Sequence, residues 1–145
     1  MGRLAFWGLK DANFTLSNSS LSYTGGPTIP LADVEVANLT GGVAENTFTV
    51  AGWTGTGTLD GAGGTGDKVV FGKDATDIGL DGNGTANLTA TGGPSLTLTG
   101  IEAAELTGGA GGNTFTIQNW AGKSATLAGS SGADAYKFGN RRDCY

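Results

Sequence analysis

The chain has 145 residues and a mass of 14.4 kDa, room for one domain rather than two. Its 28 glycines, 38% hydrophobic and 14% charged residues argue against a disordered, charge-rich chain, and 3 prolines against collagen or a proline-rich linker. With no His there are no His bases, triads or metal ligands; the lone Cys144 closes no intrachain disulfide, and a net charge of -5 opposes nucleic-acid binding.

Along the chain, Leu4-Ala5-Phe6-Trp7-Gly8-Leu9 comes first. It is too short for a signal-peptide core, and no later run approaches the roughly 18 residues of a membrane helix, so membrane insertion is not expected. Residues 1–10 read as a lead in which Phe6 and Trp7 cap the first winding. From Asp11 onward, short apolar alternations follow one another: Leu16, Ile29/Leu31, Leu39, Phe48/Val50, Leu59, Val69/Phe71, Leu80 or Leu88, Leu96/Leu98, Leu106, Phe115/Ile117, Leu127 and Tyr136/Phe138. Each is flanked by Thr, Ser, Gly or Ala. Alternation with period two predicts short strands with one face buried, and this density of Gly and Thr opposes helix.

The alternations belong to an internal repeat. Residues 27–53 (PTIPLADVEVANLTGGVAENTFTVAGW) and 94–120 (PSLTLTGIEAAELTGGAGGNTFTIQNW) match at 13 of 27 positions with a constant offset of 67. The match recovers at Asp67 with Asp134 and at Phe71-Gly72 with Phe138-Gly139. This predicts a single domain with a lead (1–10), repeat 1 (11–72), repeat 2 (73–139) and a tail (140–145). A beat of about 20 to 22 residues within each repeat predicts an all-β, right-handed parallel β-solenoid of roughly six to seven coils, three per repeat. The rival is an antiparallel sandwich, whose short strands and frequent turns give a similar pattern.

The stretches IEAAELTGGAGGNTFTIQNWAG and VEVANLTGGVAENTFTVAGWTGTGTLDGAGG resemble repeats of very large bacterial surface and secreted proteins of the filamentous-haemagglutinin or giant-adhesin type. ANFTLSNSSLSYTGG resembles the lead-in to such repeats. The resemblance covers roughly residues 11 to 139. It implies a β-solenoid module outside the cell or on its surface, structural or adhesive and not an enzyme, with a host-cell or matrix surface as partner. Open solenoid ends additionally predict end-to-end self-association, with Cys144 as a further link between chains.

The Gly-rich turns carry the one metal candidate. Gly108 to Thr116 and Gly129 to Lys137 approximate the calcium nonapeptide G-G-x-G-x-D-x-U-x, and Gly41 to Phe48 and Gly63 to Val69 are degenerate forms. Asn46 and Asp67 lie one beat apart, as do Asn113 and Asp134, and so stack in neighbouring coils as calcium candidates. The competing reading is an Asn/Asp ladder that satisfies backbone groups of the turns, with no cofactor. Thr-x-Thr pairs such as Thr47/Thr49 and Thr114/Thr116 would suit an ice-binding face only as an unbroken array. Thr28/Pro30 and Ala135/Lys137 break it. A polysaccharide-binding or polysaccharide-cleaving β-helix is the remaining alternative. Asp74, Asp77 and Asp81, or Glu102 and Glu105, would supply its carboxylates, but Glu102 repeats Glu35 and no cleft-building loop is visible. Trp53 and Trp120 are equivalent positions, expected to pack at a corner of the coil.

Overall fold

The computed structural model describes residues 2–6 and 11–139, with side chains from Asp11 onward and at Gly2 and Arg3. The tail 140–145 with Cys144, and the Trp7 of the expected cap, lie outside the described residues.

Fifteen strands and no helix make up the described residues. One sheet contains, in spatial order, β1 (Gly2–Phe6), β5 (Val34–Thr40), β7 (Thr56–Asp60), β11 (Ser95–Thr99), β10 (Ala86–Ala90), β9 (Asp77–Asp81), β13 (Thr114–Gln118) and β15 (Ala135–Gly139). The other contains β14 (Ser124–Ala128), β12 (Ala103–Thr107), β8 (Lys68–Gly72), β6 (Thr47–Ala51), β2 (Phe14–Leu16), β3 (Ser20–Tyr23) and β4 (Ile29–Pro30). Most pairings are parallel; the exceptions are β2–β3–β4 and β9–β10–β11, two antiparallel meanders. No helix here is long and apolar enough to cross a membrane.

The expected beat survives in part. Residues one beat apart pair in β5–β7, β6–β8, β12–β14 and β13–β15, as in Val36 with Thr56 and Thr47 with Lys68. Elsewhere the separation lengthens: Thr56 pairs with Ser95 and Lys68 with Ala103. The pairings do not follow one uniform beat, because in each repeat three successive strands form an antiparallel meander within one sheet. Its cause is local. In Tyr23-Thr24-Gly25-Gly26 and Ala90-Thr91-Gly92-Gly93 the last N–H donates to the first carbonyl, at 3.1 and 3.0 Å. The third residue has φ of +76° and +60°, which glycine supplies without steric cost. Pro27 and Pro94 follow, and the chain reverses.

The meander also decides where the repeats lie. From β8 to its counterpart β15, the chain crosses between sheets five times, because the meander strands stay in one sheet. An odd number of crossings puts equivalent strands in opposite sheets: β6 and β13, β5 and β12, β8 and β15. Phe48 and Phe115, identical in sequence context, thus stack in different sheets.

Inward residues form continuous rows. Phe14, Phe48, Val69 and Ala104 make one; Leu16, Val50, Phe71, Leu106 and Leu127 run beside it. In the other sheet Ile78, Phe115 and Tyr136 align, as do Leu39, Leu59 and Leu98. Phe14 stacks on Phe48 at 5.3 Å between centroids and Phe115 on Tyr136 at 5.2 Å. Phe48, Val50, Phe115 and Ile117 are buried as expected. Gly57 occupies an inward position where a Cβ would meet the Ala37 carbonyl oxygen, so only glycine fits the row.

Candidate functional site: the Asn and Asp turn ladder

The Gly-rich turns line up because the strands that follow them pair in register. Asn46 precedes β6 and Asp67 precedes β8, one rung apart. Asn46 is buried. Its Oδ1 accepts the Gly42 N–H at 2.6 Å, and its Nδ2 donates to the Ala12 carbonyl at 3.2 Å. Its own N–H donates to Asp67 Oδ1 at 2.7 Å. Asp67, also buried, donates its N–H to Glu102 Oε2 at 2.9 Å, and Gly66 donates to the same oxygen at 3.2 Å. At the other end of the ladder, Asp11 Oδ1 accepts the N–H groups of Val43 and Ala44.

Repeat 2 reproduces the ladder at the edge of the other sheet. Asn113 Oδ1 accepts the Gly109 N–H at 2.9 Å, and the Asn113 N–H donates to Asp134 Oδ1 at 2.9 Å. Asn113 Nδ2 donates to the Ala75 carbonyl at 2.8 Å and to Asp74 Oδ1 at 3.2 Å. Asp74 Oδ1 also accepts the Gly111 N–H at 3.1 Å, the part Asp11 plays in repeat 1. The four predicted residues thus form two pairs on separate ladders. Buried backbone donors need partners, and these short side chains provide them.

Burial pushes the Asp67 carboxyl above its usual value. The Asn46 N–H pulls it down, while the negative charges of Glu102, Glu45 and Asp60 push it further up. Charge is therefore unwelcome beside Asn46, and at both 46 and 113 the amide Nδ2 donates to a backbone carbonyl, which a carboxylate could not do. A calcium ion wants about six to eight oxygens, several of them charged. Asn46 Oδ1 and Asp67 Oδ1 each already accept an N–H, and among the described residues no three of Asp, Glu, His and Cys converge to hold a metal. The arrangement suits a backbone-satisfying ladder.

Asp11, Asp74 and Glu102 are ladder members that pattern reading missed. For Asp11 and Asp74 a signal was present: Asp11-Ala12 recurs as Asp74-Ala75, just outside the matched segment and slightly out of step with it. The other carboxylates are dispersed. Asp81 Oδ1 accepts the Asn83 N–H at 2.9 Å and an Asn119 Nδ2 hydrogen at 3.0 Å, Asp60 Oδ1 accepts the Ala62 N–H at 2.9 Å, and Glu105 pairs with Lys68 at 2.9 Å on the surface. Trp53 and Trp120 are buried, as expected of corner residues. Trp120 Nε1 donates to the Ser124 carbonyl at 2.9 Å, and Lys123 Nζ lies 4.6 Å from its ring centroid while donating to the Ile101 carbonyl.

These features define an all-β structure of two mostly parallel sheets, with side-chain ladders along the turns. Comparison with protein-family models, curated proteins and solved structures returns no match.

Proposed function

We propose that the chain is a structural or adhesive repeat module of a bacterial extracellular or cell-surface protein, non-catalytic, presenting stiff polar faces to a host-cell or matrix surface. Its winding is a right-handed parallel β-solenoid in which one coil of every three is folded into an antiparallel meander. The observation that supports this best is the in-register pairing of repeat ladders, with Asn46, Asp67, Asn113 and Asp74 engaged by backbone groups. The repeat wording of the adhesin type supports it independently. The test is adhesion of beads carrying the chain to cultured cells and to isolated matrix, against beads carrying an unrelated acidic protein. Retention above the control is expected. Equal retention on every surface would remove the adhesive role, and release of sugar from a polysaccharide substrate would replace the reading with a catalytic one.

A further inference from the structure

The β15 end of the described structure differs sharply in apolar exposure from the equivalent positions at mid-molecule. In β15, Tyr136 is 45% exposed and Phe138 72%. The equivalent residues of β8, Val69 and Phe71, are 0% and 1% exposed. The difference follows from what lies on the next rung. β8 is covered by β12, and β7 by β11, so repeat 2 seals the end of repeat 1. Among the described residues, β15 and β14 are the outermost strands at their end and nothing seals them.

The internal repeat specifies the missing cover. β12 is equivalent to β5 and β11 to β4, both near the opposite end of the molecule. A second copy placed by the repeat's own geometry would set its β4 on β14 and its β5 on β15. Sheet order agrees: β15 and β5 share one sheet, β14 and β4 the other. Moving β8 forward and β12 back by one repeat turns their register into Ala135 with Val36, Tyr136 with Ala37, Lys137 with Asn38 and Phe138 with Leu39. Those partners on β5 are now held by β1, with Arg3 on Val36, Leu4 on Ala37, Ala5 on Asn38 and Phe6 on Leu39. The register of β1 shifts between Gly2 and Arg3, an irregularity that the β8–β12 pairing lacks. Phe138 would thus take the place of Phe6 in the same register.

We propose that the chain assembles head to tail with a second copy by strand replacement: β15 of one molecule displaces β1 of the next and pairs in parallel with its β5, while β14 receives its β4. The partner surface is the apolar pair Tyr136 and Phe138 together with a parallel edge. This deepens the repeat-module reading and rests on it, but bead adhesion does not require the contact, so the two fail separately.

The test is sedimentation of the full chain in reductant, which excludes Cys144 bridges, from dilute to concentrated solution. Concentration-dependent oligomers are expected. Phe138→Asp should weaken association by about tenfold or more, the loss expected when one large apolar side chain is no longer buried. Ala51→Asp, at an exposed residue at the end of β6 and away from both outermost strands, should change nothing. Contact geometry is read from disulfide formation between an Asn38→Cys chain and a Lys137→Cys chain, both carrying Cys144→Ser. A 38-to-137 bridge between chains is expected. A monomer at every concentration, equal loss in Ala51→Asp, or preferred 137-to-137 bridges, which signal tail-to-tail pairing, would each overturn the proposal.

Discussion

Asn46→Asp is the substitution that most sharply separates a backbone ladder from a calcium turn. The new carboxylate still accepts the Gly42 N–H, but it loses the donor that Asn46 Nδ2 offers to the Ala12 carbonyl. A buried acceptor left unpaired costs about 1–3 kcal/mol. The introduced charge is buried beside Asp67, whose carboxyl is already pushed up by burial, and this adds a comparable penalty. The sum is about 3 kcal/mol, or roughly 10 °C in melting temperature for a domain of this size. The assay is a thermal melt of both proteins in chelator and again in about 5 mM calcium, near the weak end of calcium modules. The ladder predicts a lower melting temperature for Asn46→Asp in both buffers, and no calcium shift in the parent protein. A variant melting above the parent in calcium would refute the reasoning, because the added carboxylate would then be completing a cation site.

Asp67→Asn should raise stability at neutral pH. The folded-state pKa of Asp67 is raised, so its protonation favours the fold; that contribution is full below the unfolded value and lost as pH rises through the folded value. The gain from Asp67→Asn should therefore shrink on acidification, as read from urea melts across pH, and a gain that grows towards acid would count against the assignment. Phe115→Ala should cost about 3–5 kcal/mol in the same melts, since Phe115 is fully buried against Tyr136. Gly57→Ala should destabilise by more than about 1 kcal/mol, because its Cβ meets the Ala37 carbonyl oxygen and its φ of +153° disfavours a side chain. Removing the half-exposed Lys68–Glu105 pair should change stability by less than about 1 kcal/mol, measured by a double-mutant cycle.

Strand positions and the inward rows were legible because alternation is a local property: Phe48/Val50 and Phe115/Ile117 alternate with Thr, and both pairs are buried. The spacing of Asn46 to Asp67 also translated directly into one hydrogen bond, since those turns precede strands on adjacent rungs. Longer-range features were hidden. The Thr-Gly-Gly-Pro turns at 24–27 and 91–94 were visible, yet they look alike whether a turn rounds a coil corner or reverses the chain. That choice decides whether Thr56 pairs one beat onward or with Ser95, and whether the repeats share a sheet. Glu102 reaches back across the repeat boundary to the Asp67 N–H, a contact created by the β8–β12 pairing and by no local pattern.

Cross-strand proton contacts in the NMR spectrum of the chain test the central claim, that two sequence repeats stack through parallel ladders with a meander between them, most directly. The structure predicts contacts linking Leu59 to Leu98 and Phe71 to Leu106, and antiparallel contacts that place Leu88 between Leu80 and Leu96. Parallel contacts at a uniform spacing of about 20 to 22 residues, with Leu59 against Leu80 and no antiparallel signature around Leu88, would contradict it.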